Sequence, residues 1–114
     1  MKLGAESIIQ INVCGWLTQC TDLPFYHIPM EGKRSWANAA ILHKMGMKAG
    51  MSDLFLPRGN KDFKGVFLEL KAGKNKPTAT QVKFMLDMEI EGYYCTWTND
   101  ADKAIDILKA FYSL

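Results

Sequence analysis

The chain has 114 residues, 48% of them hydrophobic and 23% charged, with a formal net charge of +2. These values fit one globular domain and exclude a disordered polyelectrolyte. No apolar run approaches the ~20 residues of a membrane span, and Glu6 interrupts the stretch where the apolar region of a signal peptide would begin.

The first predicted element is an amphipathic helix from Glu6 to Cys20, with Ile9, Val13, Trp16 and Cys20 as its buried stripe. Glu6 stands at the top of that stripe. It can complement the helix dipole or reach a site at the sheet edge, and the spacing leaves both open. Leu23 to Pro29 reads as a short extended segment bracketed by prolines, hence an edge strand. After a polar turn, Ser35 can cap a helix from Trp36 to about Met45 that ends at Gly46. His27 reads as a satisfied strand residue or a catalyst, and His43 as a surface residue.

Two apolar strands follow, one over Gly50–Leu56 and the other over Val66–Lys71, joined by a long basic connection. Alternation puts Phe67, Glu69 and Lys71 on one face of the second strand, with Val66, Leu68 and Leu70 on the other. An acid and an amine on so apolar a strand are costly to desolvate without partners. If the strands pair as a hairpin, Asp53 and Glu69 converge at one end of the sheet. Two carboxylates held together repel, and a hard dication with oxygen ligands relieves that repulsion.

Thr78 starts a helix to about Glu91 with Val82, Met85, Leu86 and Ile90 as its expected core stripe. The run Thr78-Ala79-Thr80-Gln81 matches a capping box, which gives Gln81 a structural role without any chemistry. A strand over Tyr93–Trp97 then implies a crossover and parallel pairing. Asn99 is expected to cap a last helix through Tyr112, buried along Ala101, Ile105, Leu108 and Tyr112. The cysteines Cys14, Cys20 and Cys95 are odd in number and lack CxxC spacing, so they read as buried free thiols of a reducing compartment.

Charge is unevenly placed. Residues 33–76 hold ten basic side chains against three acids, two of which are Asp53 and Glu69. A basic middle around an acidic point suits a polyanion gripped through its phosphates. Lys33, Arg34, Arg58, Lys61, Lys64, Lys74 and Lys76 are the candidate DNA-binding residues.

Without the inserted second helix the order is αβββαβ, with Asp on the second strand and Glu-x-Lys on the third. This resembles the PD-(D/E)xK nuclease fold, with Ser52-Asp53 in place of the Pro-Asp pair. Tyr26-His27-Ile28-Pro29, Glu31-Gly32-Lys33-Arg34-Ser35, Gly50-Met51-Ser52-Asp53-Leu54, Phe67-Leu68-Glu69-Leu70-Lys71, Gln81 and Gly92-Tyr93 extend the likeness. Over residues 5–112 the chain resembles the VRR-NUC family, although Met30 stands where that pattern usually has Asn. The resemblance implies a single nuclease domain over residues 1–114, α/β in class. Its restriction-endonuclease-like αβββαβ core would be a mixed four-stranded sheet flanked by helices.

It further implies Asp53, Glu69 and the Leu70 carbonyl as ligands of Mg²⁺ or Mn²⁺. Lys71 would act on the attacking water, and Glu6 and Gln81 would complete the site. The implied activity is endonucleolytic cleavage of branched DNA such as Holliday junctions. It would be carried out by a homodimer in the cytoplasm of a bacterial or phage-infected cell, in repair or recombination and away from membranes. The alternative is a catalytically silent DNA-binding module with the same fold.

Overall fold

The computed structural model describes residues 3–28 and 36–114. The expected cap at Ser35, the position Met30 and the DNA-binding candidates Lys33 and Arg34 lie outside the described residues. The elements are α1 (Ala5–Cys20), β1 (Tyr26–His27), α2 (Trp36–Lys44), β2 (Leu54–Leu56), β3 (Val66–Leu70), α3 (Ala79–Ile90), β4 (Tyr94–Thr98) and α4 (Ala101–Tyr112). Among the described residues they form a mixed four-stranded sheet in the order β1-β2-β3-β4. The pairs β1–β2 and β2–β3 are antiparallel, and β3–β4 is parallel. The α/β class and strand pairings expected from the sequence are therefore present.

The two faces of the sheet differ in chemistry. Leu54, Leu56, Val66, Leu68 and Leu70 are fully buried on one side, packed with Val13 and Leu17 of α1 and Ala104 and Leu108 of α4. Removing a leucine side chain from water contributes roughly 1.5–3 kcal/mol, so this layer supplies the main driving force. The opposite face is aromatic. Phe55 and Phe67 are cross-strand partners with rings stacked at 4.6 Å. Phe84 of α3 and Tyr93 meet Phe67 edge-on at 5.1 and 5.2 Å, a geometry the ring quadrupoles favour.

Several local expectations shift. In α1, Val13 and Leu17 are the fully buried positions, Ile9 and Trp16 of the expected stripe pack partly buried against the core, and Cys20, on the last turn, is exposed. Cys14 and Cys95 are half-buried free thiols, and burial, with Glu89 adding to it, pushes Cys95 up to about 12. On α3 the buried residue is Met85, whereas Val82, Leu86 and Ile90 face solvent. The helix turns toward the sheet the side that carries Gln81 and Phe84, because that side completes the aromatic face and the polar end of β3. Asp100, not Asn99, caps α4 by accepting the Lys103 N–H at 3.1 Å. Asn99 is occupied elsewhere, donating its amide to the Gly73 carbonyl at 2.7 Å. Within α4, Ala104 and Leu108 are the fully buried positions.

The approach to β2 is shaped by Gly50. Its φ of +92° favours glycine, and a Cβ there would lie 2.5 Å from the Thr80 carbonyl. The segment before Asp53 thereby runs close against the first turn of α3.

Candidate metal centre

Three elements bring acids together at one end of the sheet. Leu54 pairs with Leu68, so Asp53, one residue earlier, falls opposite Glu69. The Asp53 main chain is held from the edge strand: its carbonyl accepts the Ile28 N–H at 3.2 Å and the His27 Nδ1–H at 2.9 Å. A carbonyl only accepts, so Nδ1 must carry the imidazole proton. The Asp53 carboxylate is fixed from the other side, Oδ2 accepting the Leu70 N–H at 2.7 Å. Glu6 reaches in from the first turn of α1. Carboxylate oxygens of Glu6, Asp53 and Glu69 all lie within 4.8 Å of one another.

Glu69 is the most constrained of the three, at 2% exposure. Its Oε1 faces Gln81 Nε2 at 3.4 Å and Lys71 Nζ at 3.7 Å. Its Oε2 is buried and has no hydrogen-bond partner among the described residues. Burial, then the Asp53 carboxylate through its charge and a side-chain hydrogen bond, and finally Glu6, push Glu69 up to about 8 against the opposing pull of Lys71. A buried carboxylate oxygen with no donor costs on the order of 1–3 kcal/mol or more. Hard oxygen donors at this separation, one of them unsatisfied, are a donor set that fits a small divalent cation. Lys71 is itself only 12% exposed and is the amine nearest the cluster in the described ion pairs. Among the described residues, Ser52 Oγ is also buried without a partner.

Gln81 has two functions at once. Thr78 Oγ1 accepts the Gln81 N–H at 3.2 Å while Gln81 Oε1 accepts the Thr78 N–H at 2.9 Å. The expected capping box is present. Because Oε1 is committed to the cap, the amide presents its Nε2 donor to Glu69. The sequence pattern alone showed the cap and hid the second contact, since it cannot say which end of an amide faces the sheet. His27 was hidden for a similar reason, because its link to Asp53 spans two strands.

No family model and no curated protein matches the chain. A solved structure of a "VRR_NUC domain protein" superposes with a TM-score of 0.83 at 23% identity, covering 100% of this chain and 93% of that one. The chain has a VRR-NUC fold.

Within this VRR-NUC fold the candidate basic residues separate into two groups. Lys74 and Lys76 lie on the connection that leaves β3 beside the acids. Arg58, Lys61 and Lys64 lie on the β2–β3 connection, at the other end of β3 and roughly 13 Å along the strand from the cluster. That connection has structural anchors. Tyr112 donates its hydroxyl to the Arg58 carbonyl at 2.7 Å, and Asn60 donates its amide to the Phe111 carbonyl at 3.2 Å. Arg58 also pairs with Asp22 at 2.9 Å, its side chain 46% exposed and that of Asp22 89% exposed. Among the described residues, no helix is long and apolar enough to cross a membrane.

Proposed function

We propose that residues 1–114 form one nuclease domain that hydrolyses DNA phosphodiester bonds with Mg²⁺ or Mn²⁺. It would act as a homodimer on branched DNA such as Holliday junctions, inside a bacterial or phage-infected cell. The observation that carries this reading is the unpartnered, buried Oε2 of Glu69 within a cluster of three carboxylates, with Lys71 beside it. A module that only bound DNA would gain nothing from three acids aimed at phosphate.

Asp53 and Glu69 hold the cation in this account, with the Leu70 carbonyl as a further ligand and Glu6 completing the acidic wall. When bound, the ion supplies Lewis acidity toward the phosphoryl oxygen and a lowered pKa for water. The chain's own residues do the rest. The Leu70 N–H fixes one Asp53 oxygen, which restricts how the carboxylate can turn. Gln81 restrains Glu69 Oε1. Lys71 stands close enough to orient an attacking water or to clamp a phosphate oxygen. Lys74 and Lys76 take flanking phosphates, and Arg58, Lys61 and Lys64 extend the basic track, with Lys33 and Arg34 as further candidates from the sequence alone.

Labelled four-way junction, flap, single-strand and plain duplex substrates, each incubated with Mg²⁺ or Mn²⁺, test the proposal. Junction cleavage that vanishes on chelation supports it. Equal cutting of plain duplex removes the branched-DNA claim, and salt-sensitive binding without products leaves the silent binding module.

A further inference from the structure

The side of α3 turned away from the sheet carries Val82, Leu86 and Ile90, which are 42%, 54% and 81% exposed. Spaced i, i+4 and i+8, they form one ridge about 12 Å long. The sheet-facing side of the same helix is also apolar, through Phe84 and Met85. A surface helix ordinarily has a polar outer face, so this helix has one apolar side too many for an isolated chain. Beside the ridge lie Lys83 and Asp87, paired at 2.7 Å with 75% and 49% of their side chains exposed.

We propose that this ridge is the surface on which a second copy of the chain docks, the two α3 helices running antiparallel about a two-fold axis at Leu86. The spacing is symmetric about that residue. Leu86 then meets the partner's Leu86, and the smaller Val82 meets the partner's larger Ile90. In an antiparallel pair related by such an axis, each side of one helix meets the same side of the other. Lys83 comes beside the partner's Asp87, and Asp87 beside the partner's Lys83. Along the ridge and on the Lys83–Asp87 flank the patch is thus complementary to itself in shape and in charge, as an isologous interface requires, while exposed Glu89 lies on the opposite flank. Gln81 lies on the opposite side of the helix, against Glu69, so docking leaves the acidic cluster open.

This names the interface of the homodimer proposed above and rests on that part of the reading alone. Self-association is measured without DNA or metal, so its outcome is independent of cleavage. In sedimentation equilibrium the full chain is expected at dimer mass. Leu86→Glu, an exposed change, weakens dimerisation at least about ten-fold with an unaltered far-UV circular dichroism spectrum. Lys83→Glu and Asp87→Lys each weaken it alone, because each sets like charges across the interface. An equimolar mixture of those two variants restores dimer mass, since one chain presents two acids to the two bases of the other. A monomeric wild-type chain, a Leu86→Glu variant as dimeric as wild type, or a mixture no tighter than its components would each overturn the proposal.

Discussion

Gln81 donates its amide nitrogen to Glu69 Oε1 across 3.4 Å, and the other end of the same amide is held by the Thr78 N–H at 2.9 Å. One side chain thus ties the start of α3 to the most buried acid of the cluster, and stability and chemistry become separable by mutation.

Thr78→Ala removes half of the capping box and leaves the Gln81 donor in place. It is expected to lower unfolding free energy by about 1 kcal/mol while largely sparing cleavage. Gln81→Ala should cost a similar amount of stability and, unlike Thr78→Ala, slow cleavage clearly. Urea denaturation and single-turnover cleavage of the same two variants check this, and equal cleavage losses would confine Gln81 to the cap.

The Glu69 carboxyl gives the protein a pH dependence of definite sign. Its folded pKa is raised from 4.5 to about 8, so the folded state holds the proton more tightly than the unfolded state. The stabilisation from that proton is fully present below about pH 4.5 and is lost as pH rises toward 8, with a total on the order of a few kcal/mol. Without metal, the melting temperature should include a component that falls across this window. Glu69→Gln should flatten that component, and added Mg²⁺ or Mn²⁺ should restore stability at the alkaline end. Thermal melts between pH 4.5 and 8.5, with chelator and with metal, measure all three.

How much of this centre was readable beforehand follows from what each residue depends on. Asp53, Glu69 and Lys71 are legible because strand alternation puts Glu69 and Lys71 on one face, and the hairpin register then brings Asp53 opposite Glu69. Glu6 and Gln81 depend on how helices are rotated against the sheet, which apolar spacing does not determine here. The stripe Val82, Leu86 and Ile90 is the more aliphatic side of α3, yet the sheet buries the side with Gln81, Phe84 and Met85. A polar, aromatic sheet face selects a partner by shape and hydrogen bonding, and hydropathy counts miss that. The capping of α4 misleads by one residue because Asn99 and Asp100 are both good caps, and Asn99 is drawn off by the Gly73 carbonyl.

Lys71→Ala is expected to reduce the cleavage rate by about 10²–10⁴ while changing DNA affinity by less than about three-fold, the pattern of a group acting in the chemical step. Single-turnover rates beside filter binding in chelator separate the two quantities. Comparable losses in both would make Lys71 an ordinary phosphate contact.

The two groups of basic residues predict graded effects on binding. Lys74→Glu or Lys76→Glu should weaken DNA affinity several-fold and reduce the salt slope by about one each. Lys61→Glu or Lys64→Glu, from the far end of β3, should have a smaller effect, and none at all would show that the β2–β3 connection faces away from DNA. Titrations at several salt concentrations give the slopes.

The central claim is that Glu6, Asp53 and Glu69 form a binding site for a divalent cation. Calorimetric titration of Mn²⁺ into the full chain at pH 8, beside Glu69→Gln and Asp53→Asn, tests it most directly. The account predicts saturable heats for the wild-type chain that collapse in both variants. Flat heats in the wild type, or an isotherm unchanged by either substitution, would contradict it.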